Sequence, residues 1–497
     1  MLKSNKKLCM LVFLFFFLVY LISGGGHLDA HDGVANFLVT ENMVIEKSIK
    51  INPNSPSQSK LLFDIHSFVR FHGDMNSAKI LEETGIIPQA YVNYALFLPA
   101  IGIPFYIIAD IFNQNPIHIV PYFTNALIIS LTNVVVFAFT LSIYKSKKIA
   151  FVLSIFLGLT SFIWAYTSSM FPQPLLGLLA ISAFYFIFLS KKNNIKNVEI
   201  IGGILLGSIL LSHPSGILLI PGILIYGIFS FKTNKIKIIK FIIAFLVVII
   251  FTLYLNEIRF DSFLDFGYRD EQSLKFHTDF KGILGMMLSP GKGILYYFPL
   301  SILVPISVWK MFKQNKAITF VIIYSFIVMW LWFGTVQDPY WGANGQWGPR
   351  YLVPILPFLI LPIGILLKNS KKFNYGIIGL ATTGFIVNLG GALVWNMYAY
   401  AYGWVRLGLW KYGDESWSWF TWDPTKSPII LTWNVLNSDY LSTLEFLQPT
   451  IGEFLHIGLA PCQYDSYLFC TNGVIPIIML SGIILIITYA IWRNIKK

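Results

Sequence analysis

The chain has 497 residues, 56% hydrophobic and 12% charged, with a mean hydropathy of +0.66, against about 25% charged residues in a soluble domain. This excludes a soluble globular enzyme and a disordered chain, and three cysteines (Cys9, Cys462 and Cys470) exclude a disulfide framework. The net charge of +12 does not indicate nucleic acid, because the basic residues lie in short clusters between apolar runs.

In chain order, apolar runs long enough to cross a bilayer fall near 8–24, 117–144, 149–166, 172–190, 236–256, 293–312, 317–334, 351–367, 374–396 and 473–492. The stretch 197–231 holds two shorter runs, broken by Ser212-His213-Pro214-Ser215-Gly216. The run 92–111 is interrupted by Pro99 and Pro104. Lys3, Lys6 and Lys7 precede the first run as in a signal peptide, but no small-x-small cleavage site follows, and an uncleaved anchor is expected. Seven clusters (Lys3/6/7, Lys145/147/148, Lys191/192/196, Lys232/235/237/240, Lys310/313/316, Lys368/371/372 and Arg493/Lys496/Lys497) hold 22 of the 36 basic residues, and only Glu199 among the acids lies beside them. If all seven are cytoplasmic, an even number of spans separates neighbours. Then 197–231 is two spans, His213 lies at an outer turn, and 92–111 is an interfacial or re-entrant helix on the outer side. The expectation is an all-α polytopic membrane protein of about twelve spans, with both termini cytoplasmic and the active face extracytoplasmic.

The parts follow: a first span (1–24), an outer loop (25–116), a bundle (117–396) with outer loops 257–292 and 335–350, an outer aromatic-rich loop (397–472), and a last span with its tail (473–497). Nearly every acidic residue falls in the outer segments. Cys462 and Cys470 share one outer loop, where an oxidising exterior permits a disulfide and two free thiols are the alternative; Cys9 reads as packing. No dinucleotide fingerprint, Walker motif, HExxH or CxxC occurs.

Four constellations could carry chemistry. After span one, Gly24-Gly25-Gly26-His27-Leu28-Asp29-Ala30-His31-Asp32-Gly33 puts two carboxylates and two histidines at the membrane surface, before an amphipathic stretch. Asp32 or Asp29, partly desolvated there, could accept a proton from an attacking hydroxyl; a helix cap is the plainer role for Asp32. His27, Asp29, His31 and Asp32 leave a divalent metal ion open, though their spacing matches no known ligand pattern. Ser289-Pro290-Gly291-Lys292-Gly293 reads as a phosphate cradle with Lys292 as a point charge, or as a plain turn. Trp341-Gly342-Ala343-Asn344-Gly345-Gln346-Trp347-Gly348-Pro349-Arg350-Tyr351 puts Arg350 at the membrane boundary, where a guanidinium can grip a lipid phosphate. His31, Trp347 and Tyr351 are candidates for contacting substrate. Arg259 and Arg269 could join Arg350, or pair with Asp261, Asp265 or Asp270. The tryptophans of 397–427 read mainly as a compact cap.

This arrangement resembles the glycosyltransferase-C superfamily: a first span, a large outer loop with an acidic site at its start, and interfacial helices before span two. The Ser-Pro-Gly-Lys-Gly element (289–293) and Trp-Gly-Pro-Arg-Tyr-Leu (347–352) are similar to those of a prokaryotic, mannosyltransferase-like branch. The resemblance implies an inverting transferase that moves a sugar from a polyisoprenyl-phosphate donor to a glycan, lipid or protein acceptor at the outer leaflet. Asp32 or Asp29 would be the base, and Arg350 and Lys292 would hold the donor phosphate. The chain departs from better-known relatives in its Asp29-x-x-Asp32 spacing, in lacking an acid at 166–174, and in lacking a Lys-Pro-Pro element before 92–111. The alternative is a lipid-linked glycan flippase or transporter, which the near absence of ionisable residues at mid-membrane disfavours.

Overall fold

The computed structural model describes residues 2–26, 28, 31–51, 69–71, 90–193, 197–267, 280–336, 338, 340–343, 345–369, 371–409, 411, 415–437 and 467–496. The chain begins with α1 (Leu2–Ser23) and α2 (His31–Ile45), then a two-stranded antiparallel ribbon, β1 (Val69–Phe71) and β2 (Ala90–Val92), with Arg70 opposite Tyr91. Next come α3 (Phe97–Ile111), α4 (Pro116–Tyr144), α5 (Lys147–Thr160), α6 (Gln173–Asn193), α7 (Val198–Ser212), α8 (Ile220–Ser230) and α9 (Lys235–Phe260). They are followed by α10 (Lys281–Leu288), α11 (Ile294–Tyr297), α12 (Val304–Gln314), α13 (Lys316–Gly334), α14 (Leu356–Asn369) and α15 (Lys371–Leu393). Short helices α16 (Asn396–Arg406), α17 (Ser416–Trp422), α18 (Pro428–Asn437) and α19 (Tyr467–Asn472) precede α20 (Val474–Lys496).

Among the described residues, eight helical stretches are long and apolar enough to cross a membrane: Asn5–Ser23, Pro116–Tyr144, Gln173–Lys192, Lys235–Phe260, Lys316–Gly334, Arg350–Lys368, Tyr375–Leu393 and Val474–Lys496. The other four runs read as spans are shorter or broken. Residues 149–166 divide into α5 and a 3-10 turn, Trp164–Ser168, and 197–231 divides into α7, a 3-10 turn at Pro214–Leu218, and α8. Residues 293–312 divide into α11, a 3-10 turn at Pro299–Leu303 and α12, because Pro299 and Pro305 cannot donate to a continuous ladder. The 92–111 run yields a 15-residue helix, α3, too short to cross unaided. It packs along α2 and α4, where Thr40 Oγ1 donates to the Pro99 carbonyl at 3.0 Å. Its Ile107, Ile108 and Ile111 are exposed, an apolar face suited to lipid.

Helix starts follow local chemistry. Asn115, Ser146, Asn234 and Asn315 cap α4, α5, α9 and α13 by accepting from backbone N–H groups of the first turn. The basic clusters then meet at one end of the bundle: Lys147 Nζ donates to the Asn494 carbonyl at 2.8 Å, Lys192 Nζ to Ser142 at 2.8 Å, and Lys237 Nζ to Ser190 at 3.0 Å. The 3-10 turns at 164–168, 214–218, 299–303 and 350–355 interrupt the helices away from these lysines.

A polar clamp joins α1, α4 and α5. Asn133 Nδ2 donates to Tyr20 Oη at 2.8 Å, and the Tyr20 hydroxyl donates to the Gly158 carbonyl at 3.2 Å. Gly158 permits this approach, since a Cβ there would lie 2.4 Å from the Phe16 ring and 2.6 Å from Tyr20 Oη. Gly158→Ala is expected to lower stability by about 1–3 kcal/mol through overpacking, read as a fall in the melting temperature of the purified protein. An unchanged melting temperature would show that α1 has room to shift.

Candidate active site

The loop after α1 is fixed before it reaches the acidic residues. Ser23 Oγ accepts from Trp164 Nε1 at 2.9 Å, the Tyr122 hydroxyl donates to the Leu21 carbonyl, and a ring nitrogen of His118 lies 2.8 Å from the Gly26 carbonyl. Gly26 takes φ +63°, a left-handed conformation that glycine adopts without a steric cost. The next helix starts at His31, so Asp32 lies inside the first turn of α2 rather than capping it. Asn36 Nδ2 donates to the Met170 carbonyl at 3.0 Å and locks α2 onto the 169–172 loop.

Asp32 meets Arg350 across 318 residues of sequence. Arg350 Nη1 donates to Asp32 Oδ2 at 3.0 Å, and the two side chains are 13% and 17% exposed. The Tyr94 hydroxyl donates to Asp32 Oδ1 at 2.8 Å. Each carboxylate oxygen therefore holds one donor and keeps a second lone pair. The guanidinium carbon lies 4.6 Å from the Phe171 ring centroid and 5.4 Å from that of Tyr351, while its buried Nε has no hydrogen-bond partner. Gly348, at φ +63°, and Pro349 turn the chain into the 3-10 segment that begins at Arg350.

Other cationic candidates serve this pair from behind. Arg259, buried at the end of α9, donates through Nη2 to the carbonyls of Val92 and Tyr94 and so fixes the backbone that presents Tyr94. Lys292 is 3% exposed, and its Nζ donates to the carbonyls of Ala343, at 3.0 Å, and Gln346. Both carbonyls belong to the loop leading to Arg350. Burial, with the Arg350 charge nearby, holds the Lys292 ammonium well below the ordinary lysine pKa.

The Ser289–Gly293 turn is also joined to the aromatic cap. Gly291 N donates to the Thr421 carbonyl at 3.1 Å and Ser289 Oγ donates to the same oxygen. A Cβ at Gly291 would lie 2.0 Å from the Phe420 carbonyl, so only glycine admits this contact. Tyr400, Trp404, Trp417 and Phe420 pack edge to face or tilted behind it, with ring centroids 4.9–6.3 Å apart.

His213 follows α7, and its Nδ1 accepts from the Ser215 backbone N–H at 3.1 Å. Burial is the main cause that pushes its pKa down to about 4, while Asp32 pulls it up and Arg350 pushes it down. Its imidazole is therefore neutral near pH 7 and belongs electrically to the Asp32–Arg350 pair. Trp347 is buried, its Nε1 donating to Asn388 Oδ1 at 3.1 Å and its carbonyl accepting from the Tyr166 hydroxyl at 2.8 Å. Tyr351 stacks on Phe333 with centroids 4.1 Å apart. A small cavity beside this loop is lined by Tyr166, Ser168, Gln346, Trp395 and Asn396, where Asn396 Oδ1 is a buried acceptor without a partner.

Of the residues singled out in the sequence, Asp32 and Arg350 are brought together, with Lys292 and Arg259 supporting them. Asp29, His27, Arg269 and Cys462 lie outside the described residues; for His31 and Cys470 the structure describes the backbone only. Among the described residues no three His, Cys, Asp or Glu side chains gather as a metal site. Tyr94, Phe171 and His213 join the site without a motif to announce them. Tyr94 lies within the 92–111 run, whose sequence reads only as an interfacial or re-entrant helix, and His213 stands out only as the turn between two apolar runs.

Lys292→Met removes the donor to the Ala343 carbonyl and leaves the Gln346 carbonyl only the 3.4 Å bond from the Tyr400 hydroxyl, and is expected to cost about 1–3 kcal/mol. The pH dependence follows from linkage: Lys292 binds a proton more weakly folded than unfolded, so its contribution makes stability rise with pH up to the ordinary lysine value of 10.5. Melting temperatures of parent and variant across pH 6–10 check this. A parent slope no steeper than that of Lys292→Met would mean that Lys292 stays charged.

No protein-family model matches this chain, and no curated protein matches it in sequence. Its fold does match solved structures. The crystal structure of ArnT from Cupriavidus metallidurans bound to undecaprenyl phosphate is 12% identical, covers 92% of this chain and 86% of ArnT, and has a TM-score of 0.50. The apo form of the same protein gives 11% identity, 96% and 88% coverage, and a TM-score of 0.51. The apo oligosaccharyltransferase of Archaeoglobus fulgidus gives 11%, 82%, 60% and 0.47. In fold, this chain is an α-helical polytopic membrane protein that resembles ArnT over most of both chains.

Proposed function

We propose that this protein moves a sugar from a polyisoprenyl-phosphate donor to an acceptor hydroxyl at the outer face of the membrane, with inversion at the anomeric carbon. The observation that carries this reading is the Asp32–Arg350 pair, a carboxylate and a guanidinium 3.0 Å apart at one end of an apolar bundle. The ArnT structure of the same fold holds undecaprenyl phosphate, which supports a polyprenyl phosphate as the leaving group here.

The reaction needs both charges together. The acceptor oxygen attacks the anomeric carbon from the side opposite the phosphate, forming the new glycosidic bond as the carbon–oxygen bond to phosphate breaks. The acceptor proton passes to a free lone pair of Asp32, and polyprenyl phosphate departs with the bonding electrons. Arg350 then serves two partners: Nη1 holds Asp32, and the unpaired Nε–H is available to a phosphate oxygen on which charge develops. Tyr94 keeps the carboxylate turned toward the acceptor. Lys292 shapes the loop carrying Arg350 rather than touching phosphate, and His213 stays neutral beside the pair.

The test is transfer of radiolabelled sugar from a polyprenyl phosphate to candidate acceptors by the purified protein. Asp32→Asn is expected to lower kcat by about 10²–10⁴-fold, the usual worth of a positioned base. Arg350→Gln is expected to cost about 10²–10³-fold, as for loss of an oxyanion donor. Full activity of Asp32→Asn with loss in Asp29→Asn would move the base to Asp29. Movement of label across vesicles without transfer would favour a flippase.

Tyr94→Phe separates orientation from chemistry. It removes one hydrogen bond worth about 1 kcal/mol, or roughly fivefold. The loss is expected in kcat with KM for the donor unchanged. A rise in donor KM alone would place Tyr94 against the donor instead.

A further inference from the structure

At the end of the bundle away from Asp32, the C-terminal ends of α6 and α8 and the N-terminal end of α13 enclose a cavity of about 390 Å³. Its apolar lining comes from Ile225, Tyr226, Phe229, Ala317 and Phe320. Phe229 and Phe320 are 67% and 45% exposed, so the cavity opens sideways, where lipid would lie. Lys191 and Lys316 complete the lining.

These two lysines differ from Lys192, Lys237 and Lys240. Lys192 and Lys237 are bonded to the Ser142 and Ser190 carbonyls, and Lys240 donates to Asn197 Oδ1. Lys191 and Lys316 make no hydrogen bond or ion pair to any described residue; they only lie 6.0 Å from the Tyr226 ring and 5.7 Å from the Phe312 ring. The nearby carboxylate, Glu199, is buried and accepts from Ser190 Oγ at 3.0 Å, so it does not neutralise them. Two ammonium groups without a hydrogen bond or ion pair to a described residue therefore border a largely apolar cavity at helix termini. This is the arrangement by which basic pockets between helices hold lipid phosphates, and the volume suits an acyl chain.

We propose that this cavity binds an anionic glycerophospholipid, with one acyl chain along Ile225, Phe229 and Phe320 and the phosphate between Lys191 and Lys316. The site is separate from the transfer site and does not depend on the reading of Asp32.

Native mass spectrometry of the full chain in detergent, titrated with phosphatidylglycerol, phosphatidylcholine or undecaprenyl phosphate, tests it. Phosphatidylglycerol is expected to bind about tenfold more tightly than phosphatidylcholine. That preference is lost in the Lys191→Gln/Lys316→Gln double variant and retained in Lys235→Gln, whose lysine lies outside the cavity. Ala317→Phe, which fills the cavity, weakens binding of phosphatidylglycerol while leaving both lysines in place. Both lysines are exposed, so the double variant is expected to melt at the parent temperature. Equal binding of the two phospholipids, or a preference that survives the double variant, overturns the proposal. So does tighter, lysine-dependent binding of undecaprenyl phosphate, or displacement of the lipid by glycerol phosphate alone.

Discussion

The bond between Asp32 and Arg350 is the constraint on which the rest of the site depends. A carboxylate or a guanidinium alone, at 13–17% exposure beside a lipid phase, would carry an uncompensated desolvation cost. Together they offset it, and Tyr94 and the Phe171 face complete the surroundings. Removing one partner of such a pair leaves the other exposed to that cost, typically about 3–5 kcal/mol when fully buried. The pair therefore fixes where α2, the 92–96 segment and the start of the 350–355 turn must meet.

Much of this end of the bundle is built to hold these two side chains still. Arg259 holds the backbone of Tyr94, Asn36 ties α2 to the 169–172 loop, and Lys292 draws in the loop before Arg350. The aromatic cap then packs on the Ser289–Gly293 turn through Gly291 and Ser289. The cap thus bears on the site indirectly, through Lys292, Ala343 and Gln346. Such a chain of fixed contacts suits the proposed transfer, because that reaction would require the two groups to be held within a fraction of an ångström.

The two ends of the bundle use lysine differently. At the outer end one lysine is buried and spends its donors on carbonyls. At the other end, lysines lie at helix termini, where some bond to carbonyls and Lys191 and Lys316 do not. The physical difference is burial: desolvation pushes the pKa of the Lys292 ammonium well below the ordinary lysine value.

The sequence by itself determined the membrane class and the positions of the apolar runs, and it singled out Asp32 and Arg350 as candidates. Hydrophobic length, proline placement and lysine clustering are local properties, and a run of about 20 apolar residues reads the same in any context. Only the tertiary structure decided that Asp32 and Arg350 are partners, because no spacing rule joins residues 318 positions apart. It turned Lys292 from an expected phosphate ligand into a clamp on carbonyls, because burial and neighbours, not residue type, set what an ammonium does. It recruited Tyr94 and His213, whose roles come from packing three distant segments together. It also broke the spans at 149–166 and 293–312, the second at Pro299 and Pro305, whereas the break in 197–231 falls where the sequence puts it.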